Sequence, residues 1–370
     1  MNFSLPACKV SASALCSLPR LLNSGLVSWS WRKEHIAESE MEIDLGEMPF
    51  NMAFHPSDHL VAAALITGDL HLYRYGADST SQKLLEVKAH SESCRAVRFI
   101  NGGQAIITGS KDRSILATDI ETGTAIARLE DAHEDAIYSL INVTESTIAT
   151  GDDQGCMKVW DTRQRTCCNS FTAHEDYVSD MTYVQTRSEF SEEELLSVVI
   201  MKNGRKVICG SQDGTLLLYS WGFFKDCSDR FVGLAPNSID CLLKLDEDRV
   251  IAGCENGLIS VVGILPNRVI QPLAEHSEYP IERLGFSHDR KFLGSISHDQ
   301  MLKFWDMDEL LQSDDANNTQ EDQGDASEDD DGEGMDVDMN PPKSKKGTKR
   351  KNVQNGSSSG NTSAAFFSDM

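Results

Sequence analysis

Histidine, a small hydroxyl residue, aspartate and tryptophan recur together along this chain, and that set can do two kinds of chemistry. His276, Ser295, Asp299 and Trp305 are the fullest instance. His133, Thr150 and Trp160 form a second, with Gln154 where the aspartate is expected. His90, Thr108 and Asp112 form a third, with Thr118 in place of tryptophan. Serine beside histidine and aspartate is the constellation of an acyl-transfer triad, and several histidines could hold a metal. The spacing argues against both. The sets return one structural repeat apart, so their histidines sit on different units and do not converge on one ion. If such residues are buried within a unit they must bond one another, because an unpaired buried polar group costs about 1–3 kcal/mol. No glycine-rich phosphate loop, catalytic carboxylate pair or activated nucleophile stands out. No catalytic residue, metal or cofactor is expected.

The elements that carry these residues are short hairpins. Residues 61–73, 105–119, 148–161, 207–219, 250–262 and 292–306 each read as an apolar strand, a small-residue step, a polar turn and an alternating strand. Turn residues such as Lys-Asp-Arg, Asp-Gly and Asn-Gly separate runs of β-branched and apolar residues. Ala89-His90, Ala132-His133, Ala173-His174 and Glu275-His276 each precede a further strand, such as 96–99 or 136–140. A period of roughly 40–45 residues holds four strands. Such a sheet cannot bury both faces alone, so the units stack radially and close a ring, leaving short edges. Residues 41–45 begin the ring-closing strand. With Ala or Glu in place of Gly, the pattern resembles the Gly-His…Trp-Asp repeat of the WD family. The expected fold is an all-β WD-repeat β-propeller.

One interval is short. The strand-ending positions Tyr73, Thr118, Trp160, Tyr219, Val262 and Trp305 are 45, 42, 59, 43 and 43 residues apart. Two blades need about 85 residues, so the interval after Trp160 lacks about 26. His174 and a strand over 178–184 begin a blade, 185–190 are polar, and 195–200 already open the next blade. One reading is a seven-bladed design with six complete middle hairpins and a truncated fourth blade, through alternative splicing or a missed exon. The other is a six-bladed ring with a long insertion.

The chain has 370 residues, ten cysteines and a net charge of −24. The cysteines form no C-x-x-C pair, which points to a reducing compartment. No apolar run approaches the roughly 20 residues of a membrane span. Residues 41–306 hold 40 acidic and 24 basic residues. That body repels phosphate, so direct nucleic-acid binding is not expected. The organisation expected is a non-family extension over 1–40, a propeller over 41–307 and a disordered tail over 308–370. Residues 1–33 are Ser/Leu-rich without an acidic residue. They read either as an organelle transit peptide or as a start extended upstream of Met41. Residues 308–338 carry 14 acidic residues and no basic one, too polar to form a core. Lys343, Lys345, Lys346, Lys349, Arg350 and Lys351 then form a nuclear-import candidate. Nucleus and nucleolus are expected, with the cytoplasm also open. Phe366-Phe367 is a candidate docking motif.

Residues 41–75, 174–181, 201–222, 264–269 (ILPNRV) and 298–307, with the loop SWGFFKDCSDRF at 220–231, resemble the WD repeat-containing protein 55 family in its plant form. The chain departs from it in the N-terminal extension and the short fourth blade. The resemblance implies a nuclear and nucleolar protein-interaction scaffold in ribosomal RNA processing and ribosome biogenesis, with pre-ribosomal factors as partners and no obligate homo-oligomer. It implies a second role as well. Trp160-Asp161-Thr162-Arg163 resembles the W-D-x-R box of WD proteins that dock on the damaged-DNA-binding adaptor of cullin-4 ubiquitin ligases, making Trp160, Asp161 and Arg163 the candidate docking residues. An arginine there can pair bidentately with an acceptor in a way that lysine cannot.

Overall fold

The computed structural model describes residues 37–76, 80–172, 177–182, 195–223, 226–235 and 237–311. His174, the ends of the chain and the basic cluster at 343–351 lie outside them. Among the described residues, six antiparallel four-stranded sheets form. The strand β1 (Met41–Asp44) comes first in the chain and joins the last sheet. The first sheet is β2 (Pro49–Phe54), β3 (Leu60–Leu65), β4 (Asp69–Tyr75) and β5 (Ser81–Lys88). The second is β6 (Cys94–Ile100), β7 (Ala105–Ser110), β8 (Ile115–Asp119) and β9 (Ala125–Leu129). The third is β10 (Ile137–Thr144), β11 (Thr147–Asp152), β12 (Cys156–Asp161) and β13 (Thr166–Thr172). The fourth is β14 (Leu195–Met201), β15 (Lys206–Ser211), β16 (Leu216–Ser220) and β17 (Asp229–Phe231). The fifth is β18 (Ile239–Lys244), β19 (Arg249–Cys254), β20 (Leu258–Gly263) and β21 (Arg268–Glu275). The sixth is β22 (Ile281–Phe286), β23 (Phe292–Ser297) and β24 (Met301–Asp306), completed by β1. A helical turn follows over 307–311. No described helix is long and apolar enough to cross a membrane.

Each expected hairpin is a pair of neighbouring strands, and their period-two alternation gives each sheet two apolar faces, most of them packed against a neighbouring sheet. In β3, Val61, Ala63 and Leu65 pack against Phe292, Ile296 and Phe304 of the sixth sheet. Ala62 and Ala64 of the same strand face Val97, Ile106 and Leu116 of the second. Ile107 and Ile115 meet Ile137, Ile148 and Trp160 of the third. Ile208 and Leu218 of the fourth meet Ile239 and Val250 of the fifth. Ile251 and Val261 of the fifth meet Leu293 and Trp305 of the sixth. The ring is an all-β propeller whose core lies between sheets.

The third and fourth sheets meet differently. Residues 177–182 stand between them; of the strand expected over 178–184, residues 178–182 form none, and 183–184 lie outside the described residues. A strand needs a ladder partner, and residues 177–182 pair with none among the described residues. The segment is held by its neighbours instead. Ser139 Oγ donates to the Val178 carbonyl at 2.7 Å, and Ser179 Oγ donates to the Leu195 carbonyl at 2.6 Å. Ser197 Oγ makes the same kind of bond to the Ile239 carbonyl at 3.2 Å, between two complete sheets.

Close approach sets where glycine is needed. Gly109, Gly151, Gly210 and Gly253 sit on the second strands of their sheets, each against the first residue of the next inner segment: Ile137, Val178, Ile239 and Ile281. A Cβ on Gly210 would lie 2.8 Å from the Ile239 carbonyl oxygen, which is backbone and cannot swing aside. Gly210→Ala should therefore lower stability by about 1–3 kcal/mol, read from the urea midpoint of the full chain.

Candidate partner-docking surface

The three recurrent sets are built inside their own sheets. His276 Nδ1 pairs with Asp299 at 2.8 Å and its Nε2 with Ser295 Oγ at 2.7 Å, while Trp305 Nε1 donates to the same hydroxyl at 2.8 Å. His133 Nε2 pairs with Thr150 Oγ1 at 2.7 Å, and Trp160 Nε1 donates to that hydroxyl at 2.8 Å. The acid here is Asp152, 2.7 Å from His133 Nδ1, and not the residue at Gln154. Asp152 ends β11, two residues before the position expected, and its Oδ1 also accepts the Gln154 and Cys156 amides at 3.0 and 2.8 Å. His90 pairs with Thr108 Oγ1 at 2.8 Å and with Asp112 at 3.1 Å. Thr118, standing in for tryptophan, leaves its buried hydroxyl without a partner, so this chain is one link shorter.

The imidazoles of His90, His133 and His276 have 0% exposure, so no substrate reaches them. Cys156 lies near His133 and Asp152, but both imidazole nitrogens of His133 are already engaged. Burial holds His90 and His133 below the usual histidine range, although Asp112 and Asp152 oppose it. Asp112 is held down to about 2: burial works against this, but the hydroxyl and amide of Ser114 and the charge of His90 outweigh it.

What remains open to partners is the channel and the turns. The inner segments surround a cavity of about 230 Å³. Each of the seven contributes one residue just after its start: Phe50, Arg95, Tyr138, Ser179, Leu196, Asp240 and Glu282. The wall is charged in both senses. Arg95 grips Asp153 at 2.8 and 3.0 Å and lies over the Tyr138 ring. Arg283 pairs with Asp180, and Glu282 with His298. Burial pushes Asp240 up to about 6. Sequence reading did not find this wall, because these positions share no residue type and only the ring brings them together.

Arg163 sits on the turn between β12 and β13. Trp160 is buried and anchors the strand end. Asp161 Oδ1 then accepts the Arg163 and Gln164 amides at 2.8 and 2.9 Å, and its carbonyl accepts the Arg165 amide at 2.8 Å. The turn leaves Arg163 exposed, its side chain without a hydrogen bond or ion pair among the described residues. Asp119 folds the same turn through amides two and three residues on, and Asp306 uses the same two bonds to cap the helical turn over 307–311. The position two residues on is Glu121 in the first case and Asp308 in the second. Of these three turns, the third sheet's alone offers a cation.

The WD domain, G-beta repeat family matches residues 81–117 and 123–161. WD repeat-containing protein 55 of Arabidopsis thaliana is 63% identical over 302 residues, covering 75% of this chain and 85% of that protein. The Bos taurus protein of the same name is 38% identical over 301 residues, covering 74% and 78%. WD repeat-containing protein JIP5 of Cryptococcus neoformans is 32% identical over 305 residues, covering 72% and 81%.

Asp152→Ala leaves the buried His133 Nδ1 unpartnered and should cost about 1–3 kcal/mol, whereas Gln154→Ala should stay within about 0.5 kcal/mol; urea denaturation compares them. Stability should also fall with acid. His90 and His133 titrate lower in the fold than the roughly 6.5 of the unfolded chain. Their contribution is therefore complete above that pH and is lost as pH falls through their lower folded values, which denaturation midpoints at pH 7.5 and 5.5 will reveal.

Proposed function

Because the chain belongs to the WD repeat-containing protein 55 family, we propose that it is a non-enzymatic protein-interaction scaffold of the nucleus and nucleolus, acting in ribosomal RNA processing and ribosome biogenesis. The observation that carries the scaffold reading is the burial of all three sets that could have been catalytic, with 0% exposure of each imidazole. Partners meet the turns and channel mouth, and these are protein-binding features. The acidic body argues for pre-ribosomal proteins, and not RNA itself, as the direct contacts. The basic cluster at 343–351 supports nuclear import.

A second reading rests on Arg163. Presented by a turn that Asp161 closes and Trp160 anchors, it suits the damaged-DNA-binding adaptor of a cullin-4 ubiquitin ligase, with this chain as substrate receptor. The ring itself we read as a seven-bladed design. Residues 177–182 take an inner-strand place and make the bonds an inner strand makes, while the rest of that blade is missing from the sequence.

Affinity purification of the full chain from nuclei, followed by mass spectrometry, tests the first reading: pre-ribosomal factors support it, and their absence from a preparation retaining the full chain overturns it. In the same experiment Arg163→Ala should remove the adaptor and leave pre-ribosomal factors bound; adaptor recovery at the wild-type level sinks the receptor reading. Sequencing the transcript and gene across 183–185 addresses the blade. A junction between exons there, with sequence for a hairpin in the intervening DNA, is expected; an uninterrupted genomic frame counts against truncation.

A further inference from the structure

The first and last sheets are neighbours only because the ring closes, and their inner turns bring together three side chains that no repeat position requires. His59 comes from the turn between β2 and β3. His288 and Asp289 come from the corresponding turn between β22 and β23. Neither histidine belongs to the buried recurrent set. One ligand atom from each of the three lies within 4.8 Å of the others. His59 Nε2 is 3.6 Å from Asp289 Oδ2, and the two imidazole rings are 4.7 Å apart.

The surroundings are arranged as the outer shell of a metal site is. Asp289 Oδ1 accepts from Ser287 Oγ at 2.6 Å and from the Lys291 amide at 3.1 Å, which fixes the carboxylate and leaves Oδ2 toward His59. The Tyr75 backbone is tied in as well: its amide donates to the His59 carbonyl at 3.1 Å. The Tyr75 ring stands 5.3 Å from His59. Two buried polar atoms here have no hydrogen-bond partner, His288 Nδ1 and Tyr75 Oη. Buried polar atoms without partners are costly, and both of these belong to residues whose rings pack against His59. The unengaged nitrogen also lets His288 take either tautomer that a metal requires.

We propose that His59, His288 and Asp289 bind a divalent transition cation of the zinc class, with water in the fourth position and the Tyr75 hydroxyl as its hydrogen-bond partner. Two imidazoles and one carboxylate suit a borderline ion, and they are a poor set for calcium or magnesium, which take oxygen ligands. Tetrahedral ligands about 2.0–2.1 Å from the ion stand about 3.3 Å apart. The half-exposed His59 side chain, at 49% exposure, has room to close the difference. The ion would clasp the sixth sheet to the first beside the seam that β1 and β24 close. It would stabilise the ring by binding the folded chain alone.

Titration of the full chain with Zn²⁺ by calorimetry, and with Co²⁺ by visible absorption, tests this. One saturable site is expected, with a tetrahedral Co²⁺ spectrum lacking a thiolate charge-transfer band, and with a raised thermal midpoint. His59→Ala and Asp289→Asn, both at exposed positions, should weaken Zn²⁺ binding about 100-fold or more and abolish the rise. Cys156→Ser and the double change of Cys167 and Cys168 to Ser should leave both intact. Absence of a saturable site, or a site that survives His59→Ala and Asp289→Asn, overturns the proposal and leaves the cluster an ion pair.

Discussion

A sheet that is apolar on both faces has to be covered twice, and the rest of this structure depends on that requirement. In β3 the five residues from Val61 to Leu65 are at most 1% exposed, yet odd and even positions belong to different clusters. No pair of sheets satisfies this, since each would still show one face to water. A closed ring does, and closure explains why β1, remote in sequence, completes the sheet of β22–β24. Dense packing between sheets then limits side-chain size. Gly109, Gly151, Gly210 and Gly253 stand where the next inner segment comes closest.

The same requirement accounts for the place where the ring is irregular. Among the described residues, no complete sheet stands between the third and the fourth. Residues 177–182 restore cover near the channel, with Val178 and Met181 packing against Ala149 and the partly buried Ile141, Val143, Met157 and Val159. Val207, Cys209, Leu217 and Tyr219 cluster with residues of their own sheet and its loops. Their counterparts Ile208 and Leu218 on the opposite face reach across to the fifth sheet. One face of the fourth sheet is therefore held from both sides, and the other largely from within.

What could be read in the sequence follows the same division. The six middle hairpins were legible because turn chemistry and period two are local signals. The ring-closing strand was legible because a repeat lacked its last strand. Asp152 was not, because the motif places the acid by its distance from the strand, and here the turn after β11 accommodates an acid at the strand end instead of inside the turn. The strand expected over 178–184, as the opening of a blade after His174, finds no ladder partner over 178–182 among the described residues, and its last two residues lie outside them. The channel wall and the His59–His288–Asp289 cluster were invisible for a different reason. Their members come together from different repeats, more than 200 positions apart at the extremes, and their only common signal is the closed ring.

This separates two kinds of position within one repeat. The histidine, hydroxyl and tryptophan sites carry the same residue types in turn after turn because each solves the same burial problem. The residue two places beyond the strand-ending aspartate solves none: backbone amides close the turn whatever side chain is there. It is glutamate at 121, arginine at 163 and aspartate at 308, on three segments that share these two amide bonds. Identity at such a position is free of the fold, so a lone cation among acidic counterparts is the kind of difference by which a partner tells one blade from another. Recognition in this molecule is written where the packing constraint is weakest, and the strands serve to hold those turns at fixed places around the ring.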